Sequence, residues 1–180
     1  MKQPYRNSVF YTFLFCLSVV VLCAENPGIC QGWSKTEIQL LPDSCFALVE
    51  VKDGQKIRRC PHHDSNGKLD EEQLIYVLGA LDNETWVDQA NKEMAEKHLK
   101  KHYDKFIAKV MKKGLHDSVN INSAGLTKLV ALPQIGPVLA VKIVEYRKSV
   151  SSFEKIEQIK KVEGIGSATF NAIKHYICVK

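Results

Sequence analysis

Two segments near the C-terminus carry the same pattern at a constant offset of thirty residues, and such self-similarity is the mark of one small unit used twice. Leu132-Pro133-Gln134-Ile135-Gly136-Pro137 is matched by Val162-Glu163-Gly164-Ile165-Gly166-Ser167, and the register extends outward, with Leu129 against Ile159 and Ile143 against Ile173. Each copy reads as an apolar anchor, a Gly-containing hairpin and a helix start. The implied unit is two short helices joined by a hairpin whose backbone N–H groups open the second helix. The first N–H groups of a helix have no acceptor within it and sit at the positive end of its dipole, so each start is an anion site. Two such sites side by side suit successive phosphates of a nucleic-acid strand.

The residues in the copies fit that use. Gly136, Gly164 and Gly166 allow unusual backbone angles and close approach of a ligand to the main chain. Pro137 fits a first helical position, where its missing N–H breaks no helix bond. Hairpin one then offers Gln134, Ile135, Gly136, Val138 and Leu139 as contact residues. Hairpin two offers Gly164, Ile165, Gly166, Ser167 and Ala168, with Ser167 able to cap the helix or give its hydroxyl to a phosphate. Residues 117–180 hold nine Lys/Arg and five Asp/Glu, a net of +4. Lys128, Lys142, Lys161 and Lys174 are the cations expected beside the hairpins, with Arg147, Lys148 and Lys160 nearby; such charges favour phosphate backbone with little sequence preference.

Val119-Asn120-Ile121-Asn122-Ser123-Ala124, then Leu129, Leu132-Pro133, Ile135-Gly136-Pro137, Ala140, Ile143 and Tyr146-Arg147, resemble the helix-hairpin-helix domain of ComEA-like competence proteins. Phe153, Ile159 and Val162-x-Gly164-Ile165-Gly166 continue the resemblance over about the last 62 residues. In that family the first hairpin usually reads Pro-Gly-Ile-Gly; here Gln134 stands in place of its first Gly, so hairpin one is expected to hold phosphate less tightly or through the Gln amide. The resemblance implies sequence-independent binding of double-stranded DNA through minor-groove phosphates, without catalysis.

The front of the chain sets the expected compartment. Lys2 and Arg6 precede an apolar run from Val9 to Ala24, followed by Glu25-Asn26-Pro27-Gly28. That is the layout of a secretory signal peptide over residues 1–24, or of a membrane anchor if it is not cleaved. Either places the folded part outside the cytosol. The remaining cysteines, Cys30, Cys45, Cys60 and Cys178, are even in number, which in an exported protein favours disulfides. Lys52-Asp53-Gly54 is a hairpin turn signal within residues 45–60. The hairpin brings Cys45 towards Cys60, the favoured bridge, and leaves Cys30 with Cys178.

Residues 25–113 read as a separate β-hairpin and helical domain. Counting His62 as position one, Asp64 and Asn66 fall at positions three and five of an EF-hand-like loop, but position twelve is Gln73 and position one is no carboxylate, which removes much of the charge that holds Ca²⁺. The favoured reading is an Asn66-Gly67 turn feeding a helix from Asp70 to about Leu81, burying Leu74, Val77, Leu78 and Leu81. A longer helix is expected over Asn91 to Lys113, with Ala95, Leu99, Tyr103, Phe106 and Val110 as its apolar stripe. His98 and His102 lie four apart on it and share a face, the spacing of a zinc pair that Cys60, His62 or His63 would complete. Half-buried packing is the preferred reading of these histidines, and no metal or other cofactor is expected.

No catalytic constellation can be assembled. A helix-hairpin-helix glycosylase would need a catalytic Asp and usually a Lys downstream of the hairpin, whereas the sequence given ends shortly after hairpin two. The expectation is a mainly α protein: a tandem helix-hairpin-helix domain over 119–180, joined by a linker at 114–118 to a small α+β, disulfide-containing domain. Its expected role is a non-enzymatic receptor for double-stranded DNA, with components of a DNA-uptake apparatus as further partners and no small-molecule substrate. The alternative is an extracytoplasmic protein-interaction or metal-binding module that uses the hairpin pair only as scaffold.

Overall fold

Asp53 and Gly54 both take positive φ, 51° and 75°, which matches the twist needed by a two-residue hairpin. They turn β1 (Phe46–Lys52) into antiparallel β2 (Gln55–Pro61) in the computed structural model, which describes residues 33–115, 117–149 and 152–180. The expected signal peptide and Cys30 lie outside the described residues. Ahead of the hairpin, α1 (Lys35–Leu40) starts from a reciprocal capping box between Ser34 and Glu37. Among the described residues no helix is long and apolar enough to cross a membrane.

The Cys45–Cys60 bridge expected from the sequence is not formed. The strand register pairs Phe46 with Pro61, which sets Cys45 across from His62 and not from Cys60. The N–H groups of His62 and His63 both donate to the Cys45 carbonyl, and Cys45 Sγ donates to the Asp64 carbonyl at 3.2 Å. Among the described residues there is no disulfide, so the small domain is not disulfide-containing there. Cys178 pairs through its main chain with Asn120, and its expected partner Cys30 is not described.

Asp64 accepts from the N–H groups of Asn66 and Lys68 with one carboxylate oxygen, at 2.9 Å each, and closes a tight loop. Asp70 then caps α2 (Glu71–Gly79) by accepting from Gln73 N–H. This helix stops at Gly79, short of Leu81, and a 3-10 turn follows over Leu81–Asn83. Asp88 caps α3 (Gln89–Lys113), which ends where Gly114 takes φ 71°. Its buried contacts are Ala95, Leu99 and Phe106. Glu50 of β1 is buried at 3% exposure, and Arg59, Asn91 and the Val87 N–H all donate to it. Burial would raise its pKa, but these donors prevail and hold it below the usual carboxylate range. They tie the hairpin to the start of α3.

The C-terminal part is bracketed by a parallel pair, β3 (Val119–Asn120) and β4 (Ile177–Cys178). Between them come α4 (Leu126–Leu129), α5 (Pro137–Ser149), a 3-10 helix over Ile156–Lys161, and α6 (Ser167–Ile173). Asn122 staples the two copies: its amide donates to Phe153 O at 2.9 Å and accepts from Phe153 N–H at 2.7 Å. One apolar core runs through both parts, with Leu74, Leu99 and Phe106 in the same cluster as Ile121, Leu129, Ile143 and Ile173. Helix α2 packs so closely on α5 that a Cβ added to Gly79 would lie 2.6 Å from both Pro137 O and Val141 Cγ2.

Helix α4 begins at Gly125, which has no side chain to cap it. Glu72 of α2 supplies the acceptor: its carboxylate takes Leu126 N–H at 2.7 Å, Thr127 N–H at 3.0 Å and the Thr127 hydroxyl. Glu72→Ala removes that acceptor from two main-chain donors and a hydroxyl and is expected to lower stability by about 2 kcal/mol in urea unfolding. An unchanged midpoint would contradict the cap.

Candidate nucleic-acid interface

The thirty-residue repeat is realised bond for bond. Leu132 N–H donates to Leu129 O, Ile135 N–H to Leu132 O and Ala140 N–H to Gly136 O; thirty residues on, Val162 donates to Ile159, Ile165 to Val162 and Phe170 to Gly166. The matched apolar residues Leu129 and Ile159, Leu132 and Val162, Ile135 and Ile165, Ile143 and Ile173 are all buried. The two isoleucines at the hairpins therefore anchor from below. Their N–H groups are spent on these turns, so both act as supports of the loop and offer no donor outward.

Beyond the isoleucines the donors are open. Among the described residues no acceptor reaches the N–H of Gly136, Val138 or Leu139 in hairpin one, nor that of Gly166, Ser167, Ala168 or Thr169 in hairpin two. Thr169 is an addition that counting one more residue into the first turn would have found. Ser167 makes no capping hydrogen bond; Gly166 occupies the cap position. Gly166, Ser167, Ala168 and Val138 are exposed. Leu139 is half-buried, and its Cδ2 lies 2.8 Å from where a Cβ on Gly164 would stand. That contact sets the two helix starts side by side.

The three glycines have different physical reasons. Gly164 takes φ 90°, which demands glycine; the nearby Leu139 Cδ2 is the tip of a flexible side chain and could move aside. Its counterpart Gln134 takes φ 63° with an exposed side chain, a conformation costing a non-glycine residue about 1 kcal/mol. Gly136 and Gly166 have ordinary φ, and a Cβ on either would meet nothing within 4 Å. Neither backbone angle nor space inside the fold requires glycine at these two positions. A ligand lying against the main chain would.

The expected cations divide. Lys128, in the last turn of α4, and Lys161, three residues before Gly164, are exposed. Lys142 is ion-paired to Glu163 at 3.0 Å, which compensates its charge and links α5 to hairpin two. Lys174 lies past the far end of α6, about 10 Å along the axis from the open donors. Lys160 rests over the Phe170 ring. Arg147 donates to the carbonyls of Ile121 and Ala124 and so serves the fold.

The metal candidates also divide. Asp64 has its carboxylate turned to its own loop, and Asn66 is exposed at the turn. His62, His98 and His102 converge, joined by His63, with ring centroids 4.2–5.3 Å apart. Burial, with smaller effects from neighbouring histidines, pushes the His62 pKa down to about 4. Burial first, then nearby positive groups, also lowers those of His98 and His102.

Residues 116–178 match the helix-hairpin-helix motif family. ComE operon protein 1 of Bacillus subtilis is 45% identical over 62 residues, covering 34% of this chain and 30% of that protein. Endonuclease/exonuclease/phosphatase family domain-containing protein 1 is 40% identical over 63 residues in Danio rerio and 36% in Homo sapiens, covering 35% of this chain and 12% and 11% of those proteins. The chain thus spans less than a third of the length of these curated relatives, and each match is confined to the hairpin region. No solved structure matches the chain significantly. The C-terminal region is a ComEA-like helix-hairpin-helix domain.

Gly164 and Gly166 should separate in urea unfolding. Gly164→Ala is expected to cost about 1–3 kcal/mol through strain, and Gly166→Ser, which keeps a good cap residue, less than about 0.5 kcal/mol. Equal losses at both would refute the distinction.

Proposed function

We propose that the helix-hairpin-helix domain binds double-stranded DNA without regard to sequence, as a receptor and not as an enzyme. The carrying observation is the pair of glycines, Gly136 and Gly166, each at an open helix start that no side chain caps and each demanded by neither backbone angle nor space. In this reading the backbone N–H groups of the two hairpins hold phosphate oxygens, while Lys128 and Lys161 add long-range attraction. Phosphate competes with Glu163 for Lys142. The chain itself offers a precedent for the chemistry: the α4 start already holds an anion, the Glu72 carboxylate, on two N–H groups. Similarity to ComE operon protein 1 supports a competence-related role. The sequence pattern of residues 1–24 supports export, so the receptor would capture incoming DNA outside the cytoplasmic membrane.

The test is fluorescence anisotropy with a labelled duplex of random sequence. Wild-type affinity is expected to fall with salt at a log–log slope of about −0.9 per phosphate neutralised. Gly136→Asp plus Gly166→Asp should weaken binding at least about tenfold, because two carboxylates replace the space a phosphate would fill. These positions are preferable to Gly164, where strain would confuse folding with binding. Retained affinity in a folded double variant would rule out the hairpin mechanism.

A further inference from the structure

Four histidines from two distant stretches of sequence meet at one place, and the hairpin function makes no use of them. His62 and His63 leave β2; His98 and His102 project from α3 one turn apart. The rings of His62, His98 and His102 are in mutual contact, and His63 touches His62 and His102. His62 is fully buried and His98 is at the solvent edge. We propose that His62, His63, His98 and His102 form a binding site for one divalent transition-metal ion of the zinc class.

Several observations carry this. His62 Nδ1 lies 3.0 Å from the Cys60 carbonyl, to which it donates, leaving Nε2 as the lone-pair nitrogen facing the cluster. A backbone partner on the far nitrogen is the arrangement that orients a metal-binding imidazole. His62 Nε2 stands 3.0 Å from His98 Nε2, close to the roughly 3.3 Å between two nitrogens on one tetrahedral Zn²⁺. One nitrogen each from His62, His63 and His102 lie within 4.8 Å of one another, against roughly 3.3 Å on a tetrahedral ion, and His98 joins them through its 3.0 Å approach to His62. His63 Nδ1 is buried without a hydrogen-bond partner, a loss that coordination or rotation onto a metal would remove.

The backbone beneath is fixed in advance. His62 and His63 donate their N–H groups to Cys45 O, and Asp70 N–H donates to His62 O, so these ligands are positioned before any ion arrives. Imidazole donors with no carboxylate among them suit zinc, copper or nickel and exclude a calcium or magnesium preference. The bound ion would clasp the exit of the β-hairpin to the lysine-rich α3.

The test uses the whole chain, made without a histidine tag and stripped with chelator. Titration of Zn²⁺ against a chromogenic competitor should show one equivalent per chain. Zn²⁺ at a hundredfold excess over Kd should raise Tm by about 5–10 °C. His98→Gln plus His102→Gln, both on the outer side of the cluster, should weaken binding by more than the 10- to 100-fold that loss of a mere orienting partner costs. Should that variant fail to fold, Co²⁺ in wild type decides: a tetrahedral visible spectrum without a thiolate charge-transfer band supports nitrogen ligation. Absence of stoichiometric binding, retained affinity in the double variant, or a thiolate band placing the metal on cysteine would each overturn the site.

Discussion

A helix cannot satisfy its own first N–H groups, and this chain resolves that constraint in two opposite ways. At α4 the fold closes the account internally, with the Glu72 carboxylate reaching across from α2. At α5 and α6 it leaves the donors open and keeps side chains away, through Gly136 and Gly166. Had these starts been mere turns in a core, the same remedy as at α4 would have been available. The contrast lies between neighbouring helix starts in one domain, under one set of packing rules.

The open starts are useful only if held still relative to each other. Three features do this: the buried isoleucines beneath each hairpin, the reciprocal Asn122–Phe153 pair between copies, and the β3–β4 pair closing the domain. The N-terminal elements extend the support. Helix α2 lies against α5 at the near-contact of Gly79 with Pro137 and Val141, and its Glu72 fixes α4. The hairpin of β1 and β2 and helix α3 then hold α2 from the other side, with the histidine cluster at their junction. Elements that the sequence suggested as a separate domain thus share the core on which the hairpins rest.

What could be read from the sequence follows contact range. The repeat register specified the anchors, the hairpins and the open donors, because each depends on residues within one thirty-residue unit. Asp53-Gly54 announced its turn, and Asp70 and Gly114 their helix ends, through local backbone chemistry. Glu72 could not be found, since it acts 54 and 55 residues away with no local signal. The Cys45–Cys60 expectation failed on register, which places His62, two residues beyond Cys60, opposite Cys45. His98 and His102 were legible as a pair on one helix face, but their meeting with His62 and His63 depends on how α3 packs against the hairpin. Among the lysines, sequence proximity to a hairpin did not separate exposed Lys128 and Lys161 from paired Lys142 or distant Lys174.

The proposal that main-chain amides of the two hairpins bind DNA is most directly examined by a ¹⁵N amide spectrum of the protein titrated with a short duplex. Shifts are expected to concentrate at Gly136, Val138, Leu139, Gly166, Ser167 and Ala168, with Leu126 and Thr127, already bound to Glu72, unmoved. Shifts confined to the lysine face of α3, with the hairpin amides silent, would contradict it.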